Sequence, residues 1–133
     1  MFYRECLLDL GIHVIADLRQ CNASLIDDLD YVKHSLHSAA ETLAVTLIAE
    51  SFHKFSPQGV TGILSIAESH ISVHTWPETL FAAIDILTCG TNFDPLKAAH
   101  FLSDKFECQS PEVTVLHSGA GLGISAPNIS EVR

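Results

Sequence analysis

The sequence is short of basic side chains and has no long apolar run, and both absences narrow what the protein can do. Seven Lys and Arg stand against 16 Asp and Glu among 133 residues, which gives a net charge of -9. A surface this acidic repels phosphate backbones, so nucleic acid is not expected as a partner. No apolar stretch reaches the roughly 20 residues of a membrane helix, and the charged start, residues 1–9, is unlike a signal peptide. We therefore expect a cytoplasmic protein with no membrane contact and a small cationic substrate.

The cysteines are also few and scattered. Cys6, Cys21, Cys89 and Cys108 include no C-x-x-C pair. Neither a zinc ribbon nor a disulfide-dense secreted scaffold is therefore indicated, and at least one thiol is available for chemistry.

Two histidines have the spacing of a metal site. His70 and His74 are four residues apart, as in helical H-E-x-x-H sites. Here the alternation of Ile71, Val73 and Thr75 predicts a strand, and no Glu follows the first histidine. No metal is expected on this pattern.

The chain length fits one domain, which we place at residues 1–117, and 47% of the residues are hydrophobic. This hydrophobic fraction is high for a small domain and indicates a buried subunit interface. Residues 118–133 are rich in Gly, Ser and Pro, which predicts a flexible tail. Gly119, Gly121 and Gly123 within it lack the strand and helix context of a dinucleotide-binding loop.

The apolar pattern predicts an α+β fold. Ser24 and Asp27 form a capping pattern ahead of a helix that reaches Leu43, and Asp94-Pro95 starts a second helix. Short apolar runs predict strands at residues 11–18, 43–55, 60–67, 71–75, 81–88 and 113–116. Short connections imply an antiparallel meander. We predict a two-layer α/β sandwich with a mainly antiparallel sheet and two helices on one face, the other face being covered by a second subunit.

Residue types alone leave several functions open. A hydrolase would combine Ser69 or Cys89 with His74 and Asp85, but no G-x-S-x-G elbow is present. Isolated Ser, His and Cys are also common as satisfied polar groups or inert core residues.

A longer motif is far more specific. Residues 68–78 read E-S-H-I-S-V-H-T-W-P-E and are followed by F-A-A-I-D-I-L-T-C-G and D-P-L-K-A. Together with G-I-H-V-I-A-D-L, C-N-A-S-L-I-D-D and F-H-K-F-S-P-Q-G-V-T-G, they resemble the prokaryotic S-adenosylmethionine decarboxylase proenzymes. The resemblance covers residues 11–107.

The resemblance implies that the chain makes its own cofactor by cutting itself between Glu68 and Ser69. Ser69 would attack the preceding carbonyl, and β-elimination from the resulting ester would leave a dehydroalanine that hydrolyses to a pyruvoyl group. His74 would give acid-base help, and Thr61 would assist the acyl shift. The products would be a β chain of residues 1–68 and an α chain of residues 69–133.

The resemblance also implies the reaction. The pyruvoyl carbonyl would form a Schiff base with S-adenosylmethionine and accept electrons as carbon dioxide leaves. Cys89 would reprotonate Cα, Glu78 would hold the ribose hydroxyls, and Phe55 would stack on adenine and face the sulfonium. The product would serve spermidine synthesis, and the processed protomers would form a homodimer.

Some positions depart from the family pattern. Ile12 and Lys54 each replace a usual Arg, and Leu80 stands where the family has Gly, a residue that often marks positive φ. Because Leu80 lies two residues after Glu78, the change bears on substrate choice. Ornithine or arginine therefore stays an alternative substrate, and a non-catalytic regulatory paralogue is a second alternative.

Overall fold

The computed structural model describes residues 10–67, 69–89 and 94–119. The strands are β1 (Gly11–Arg19), β2 (Leu47–Lys54), β3 (Val60–Ile66), β4 (Ser69–Trp76), β5 (Phe81–Thr88) and β6 (Ser110–Ser118), and the helices are α1 (Ala23–Ile26), α2 (Leu29–Thr42) and α3 (Pro95–Lys105). A short 3-10 turn, Pro77–Thr79, lies between β4 and β5. No helix in these ranges is long and apolar enough to cross a membrane.

The strands form one antiparallel sheet in the order β2-β3-β4-β5-β1-β6. Strands β2 to β5 make the predicted meander, in which Val73 of β4 is paired with Gly62 on one side and Ile84 on the other. Strand β1 lies between β5 and β6. The predicted α+β sandwich is confirmed, with three helices rather than two because the first predicted helix is broken into α1 and α2.

The core lies between the sheet and the helices. Side chains at alternate strand positions point toward α2 and α3 and are fully buried, as are the inward side chains of both helices: Val14, Leu64, Ile71, Ile84, Leu36 and Leu102 are examples. Burying a side chain of this size contributes about 1.5 to 3 kcal/mol. The core fixes which face each strand residue presents, since a shift of one residue would expose the apolar set.

The predicted capping pair Ser24 and Asp27 was wrong. The side-chain oxygen of Asn22 caps α1 by accepting the Ser24 backbone N–H at 3.0 Å. Asp28 caps α2 by accepting the Tyr31 N–H at 3.1 Å. Asp27 instead ends α1, and this leaves its carboxylate available for another contact.

The strand predicted from residue 43 starts later, at Leu47. Helix α2 ends at Thr42, and Leu43 is its buried C-terminal cap. At the other end, β6 reaches Ser118. Most of the predicted flexible tail, from residue 120 onward, lies outside the described residues, as do Cys6, Gly121 and Gly123.

Within the described ranges, the second sheet face carries no helix. Ile63, Ser72, Asp85 and Ile15 lie side by side across this face on four neighbouring strands. The side chains of Ile63 and Ile15 are 42% and 37% exposed. We call this surface the open face.

Strands from before and after residue 68 alternate in the sheet. Strands β1 to β3 precede that residue and β4 to β6 follow it. Three of the five strand pairings, β3 with β4, β5 with β1 and β1 with β6, therefore join an earlier strand to a later one.

Candidate active site

Ser69 is the first residue of β4. Its position follows from the register, which pairs it with Ile66 at the end of β3, and strand alternation points its side chain to the same sheet face as Ile71. The Ser69 hydroxyl oxygen is buried and has no hydrogen-bond partner among the described residues. Glu68, the other half of the predicted cleavage bond, lies outside the described residues. A buried hydroxyl without a partner is costly and uncommon in structural roles.

Cys89 lies close to the same end of the sheet. It follows directly after β5, and in β5 Leu87 is paired with His70. Ser69 and Cys89 therefore stand at neighbouring strand ends. Thr88, the last residue of β5 and the residue before Cys89, also has a buried hydroxyl without a partner among the described residues. We call Ser69, Thr88 and Cys89 the serine end.

A polar cluster occupies the open face beside the serine end. The Asp85 carboxylate contacts His13 Nε2 and lies 3.5 Å from His70 Nε2. The donor atoms of the three residues all fall within 4.8 Å of one another, an arrangement that could hold a divalent cation. Asp85 thus contacts His13 and His70, whereas the hydrolase alternative required it beside His74.

The other predicted residues gather around a cleft at the far end of β4. The cleft encloses about 370 Å³ and is lined by Phe55, Gln58, Gly59, Thr61, His74, Thr75, Trp76 and Glu78. This volume falls within the range of small-molecule sites. Among the described residues of this lining, Glu78 is the one carboxylate, so the cleft favours a cation. We call it the histidine cleft.

His74 and Thr61 form a hydrogen-bonded pair in this cleft. They are directly opposite each other on β4 and β3, and the Thr61 hydroxyl lies 3.1 Å from His74 Nδ1. The His74 ring is exposed and lies 6.4 Å, centroid to centroid, from Trp76. The pair is therefore placed to exchange a proton with a group that enters the cleft.

Phe55 owes its position to a tight turn. Its backbone N–H donates to the Gly59 carbonyl at 2.8 Å, and the ring is 46% exposed. The Gly59 N–H in turn donates to the Asp27 carboxylate at 2.8 Å, and Lys54 lies 3.1 Å from the same oxygen. The Gly59 hydrogen bond, aided by Lys54, lowers the pKa of Asp27. An ionised Asp27 thus anchors the turn that presents the aromatic ring.

Glu78 lies in the 3-10 turn after β4, and the residue that ends this turn has an unusual backbone. Leu80 adopts φ 59° and ψ 32°, in the left-handed region, and its N–H donates to the Pro77 carbonyl. The backbone therefore has the conformation that Gly adopts most easily, although the side chain is Leu. The positive φ that a glycine often marks is thus present at residue 80 with Leu in its place.

The serine end and the histidine cleft are far apart in one chain. Ser69 and His74 are separated by five residues along β4, which corresponds to about 16 Å at strand spacing. By alternation their side chains also point to opposite faces of the sheet. The predicted site residues thus fall into two groups that one protomer does not bring together.

Sequence reasoning missed three residues in or next to these groups: Trp76, His13 and Asp27. Trp76 lines the cleft, and its position two residues after His74 on a strand was the available signal, since both then share a face. The contacts of His13 with Asp85 and of Asp27 with Gly59 join residues 72 and 32 positions apart. Local sequence patterns do not predict contacts between residues so far apart in the chain.

Comparison with known proteins identifies the family. The family model for S-adenosylmethionine decarboxylase matches residues 12–119. An S-adenosylmethionine decarboxylase proenzyme of Thermodesulfovibrio yellowstonii is 42% identical over 83% of this chain and 82% of its own length. One from Clostridium kluyveri is 33% identical over 84% and 88% of the two chains.

A solved structure agrees with these relatives. The crystal structure of the adenosylmethionine decarboxylase from Aquifex aeolicus superposes with a TM-score of 0.77 at 32% identity, covering 84% of this chain and 92% of that one. The fold, the motif and the relatives agree, and the chain belongs to the S-adenosylmethionine decarboxylase family.

Proposed function

We propose that this protein is a self-processing, pyruvoyl-dependent decarboxylase of S-adenosylmethionine, whose product supplies aminopropyl groups for spermidine synthesis. Membership of the family supports the reaction. The structural observation that carries the proposal is the buried, unpartnered hydroxyl of Ser69 at the start of β4.

The residues at the serine end fit a pyruvoyl group derived from Ser69. The Ser69 hydroxyl has no competing hydrogen bond, so its lone pairs are available to attack the preceding carbonyl and form an ester. The β-oxygen is then the leaving group of the elimination. Once formed, the pyruvoyl group supplies an electron-accepting carbonyl that attaches the substrate amine. Cys89 stands beside Ser69 at the neighbouring strand end, where a thiol can deliver a proton to the substrate's Cα.

The residues of the histidine cleft fit the other tasks. In the proposed processing step, His74 moves the proton that the elimination releases, and the hydrogen bond between the Thr61 hydroxyl and His74 Nδ1 holds the ring in place. In the proposed reaction, Phe55 and Trp76 offer aromatic faces to the adenine and the sulfonium, and Glu78 accepts hydrogen bonds from the ribose hydroxyls.

We further propose that a homodimer joins the two groups. A twofold axis that crosses the strands at right angles reverses strand direction and lays the serine end of one protomer near the histidine cleft of its partner. Exposed apolar side chains on the open face, such as Ile15, Ile63 and Leu116, suit packing against a second sheet. The separation of about 16 Å along β4 within one chain is the reason to place the site between chains.

Mixed dimers test this arrangement. A Ser69→Ala chain and a His74→Ala chain, marked by tags of different length, are expected to stay uncut when each is expressed alone. In a mixed dimer, the intact Ser69 of one chain meets the intact His74 of the other. The His74→Ala chain should then be cut, and a random one-to-one mixture should recover about a quarter of wild-type turnover. If neither chain is cut in verified mixed dimers, the site lies within one protomer.

The reaction is tested on processed wild-type protein. We expect two fragments by intact mass, an α chain without a free amino terminus, and carbon dioxide release from S-adenosylmethionine. Ornithine and arginine are assayed in parallel, since the departure at Leu80 lies next to Glu78. Turnover of either one in place of S-adenosylmethionine would reject the proposed substrate. The relatives reported above are S-adenosylmethionine decarboxylases, which favours this substrate over the alternatives and over a non-catalytic role.

A further inference from the structure

Two thiols lie beside each other at a place that the proposed reaction does not use. Cys21 follows the end of β1, and Cys108 lies between α3 and β6. Backbone hydrogen bonds on either side of the thiols hold these two segments together. The Asn22 N–H donates to the Phe106 carbonyl at 2.9 Å, and the Gln109 N–H donates to the Gln20 carbonyl at 3.3 Å.

The Cys21 and Cys108 side chains both point to the backbone at the end of β1. The Cys21 thiol donates to the Leu18 carbonyl at 3.4 Å, and the Cys108 thiol donates to the next carbonyl, that of Arg19, at 3.0 Å. Cys21 is 4% exposed and Cys108 is half-buried. Burial, followed by the charge and the hydrogen bond of the neighbouring Cys108, raises the pKa of Cys21 to about 12. The thiols are therefore near neighbours, and Cys108 is the one that a reagent reaches first.

We propose that Cys21 and Cys108 form a reversible disulfide when the protein meets a low-molecular-weight disulfide such as oxidised glutathione. The Cys108 sulfur attacks one sulfur of the oxidant, and a thiolate leaves. The Cys21 sulfur then attacks Cys108 and displaces the second thiolate. Two protein thiols are oxidised, one disulfide is reduced to two thiols, and the two protein protons go to the departing thiolates.

The bond would have a consequence specific to a cut chain. Cys21 lies in the proposed β chain and Cys108 in the α chain. Their disulfide would join covalently what processing at Glu68-Ser69 separates. This consequence rests on the proposed self-processing, whereas formation of the disulfide does not.

The test compares oxidised and reduced protein on denaturing gels. Processed wild type treated with oxidised glutathione should run without reductant as one species with the summed mass of β and α chains, and with reductant as two. Peptide mapping without reduction should find Cys21 linked to Cys108. Cys108→Ser should run as two fragments under both conditions, and Cys6→Ser, the matched control, should behave as wild type.

The uncut Ser69→Ala variant separates this proposal from the proposed function. After oxidation it should lose two titratable thiols per chain and keep the mass of a single chain, which places the bond within one protomer. If both thiols stay titratable after treatment with excess oxidised glutathione, the disulfide is rejected whether or not the wild type is cut. If a disulfide-linked pair of Ser69→Ala chains appears instead, the pairing within one protomer is rejected.

Discussion

At the scale of single residues, Leu80 is the clearest case of a side chain at odds with its backbone. Its φ of 59° lies in the left-handed region, which costs a non-glycine residue roughly 1 to 2 kcal/mol. The side chain is 41% exposed, so little packing offsets that cost. The Leu80 carbonyl accepts the Cys21 N–H at 2.9 Å, and this contact helps to hold the strained conformation.

Leu80→Gly is therefore expected to raise the free energy of unfolding. The relief of strain exceeds the extra chain entropy that Gly loses on folding, and the net gain should be about 0.5 to 1 kcal/mol. Urea denaturation of the two proteins measures it. Leu116→Gly, which removes a comparably exposed Leu from the interior of β6, should lower stability instead. A loss of stability in Leu80→Gly would contradict the strain at this position.

Cys21 gives stability a pH dependence. Its pKa is raised from 9.0 to about 12 in the folded protein, so above pH 9 the unfolded chain releases a proton that the folded chain keeps. The unfolded state then binds fewer protons, and stability falls as pH rises, by at most about 1.4 kcal/mol per pH unit. Below pH 9 the Cys21 thiol is protonated in both the folded and the unfolded state, so this loss of stability does not occur.

Urea denaturation at pH 8, 9 and 10 tests this dependence. The wild type should lose more stability than Cys21→Ala between pH 9 and pH 10, because only the wild type carries the buried thiol. Parallel losses in both proteins would assign the alkaline sensitivity to other groups.

At the scale of elements, the sequence predicted what apolar spacing determines and missed what distant contacts determine. The bounds of β5 were predicted correctly, and the Asp94 cap with Pro95 starts α3 as expected, because both signals are local. The break between α1 and α2 was missed because Asp27 and Asp28 are adjacent and either can cap a helix, so the local pattern does not show which one does. The Asp27 carboxylate accepts a hydrogen bond from Gly59, which lies in a turn 32 positions away. No local pattern shows this contact.

The same limit applies to the candidate site. The motif placed Ser69, His74 and Cys89 on the chain, and alternation around His74 gave the strand. The distance between the serine end and the histidine cleft follows from strand length, which could be read from the sequence. The contact of Asp85 with His13 and His70 required the strand order, which short connections leave open for β1.

The caps provide an element-scale prediction. Asp28→Ala removes the side chain that accepts the Tyr31 N–H at the start of α2, and the free energy of unfolding should fall by about 1 kcal/mol. Ser24→Ala, the cap expected from sequence, should change it by far less, since Ser24 is exposed and contributes only its backbone N–H to the Asn22 cap. Chemical denaturation of both variants decides between the two assignments.

At the scale of the whole molecule, the open face is the surface through which the proposed dimer would form. Ile63 is exposed there in a row with Ser72 and Asp85, and a second sheet would bury it. Ile63→Lys should dissociate the proposed dimer, because a buried unpaired charge costs several kcal/mol. If the site lies between protomers, self-cleavage should stop as well.

Light scattering and a cleavage time course measure both effects. Val115→Lys makes the same kind of change on the other side of the sheet, where Val115 pairs with the core residue Val14, and should leave the dimer intact. A monomeric Ile63→Lys that still cuts itself would place the site within one chain, and a dimeric one would place the interface elsewhere.

The alternation of earlier and later strands in the sheet also changes the order of the unfolding reaction. Within one protomer, an uncut chain unfolds and refolds as a single molecule. After a cut before Ser69, separating the fragments means breaking three strand pairings at once, and regaining the fold requires a bimolecular encounter. The melting temperature of the cut protein should then rise more steeply with protein concentration than that of the uncut Ser69→Ala variant, as mass action requires. The proposed maturation would thus replace a fold that one chain regains alone with one that is regained only when its two fragments meet.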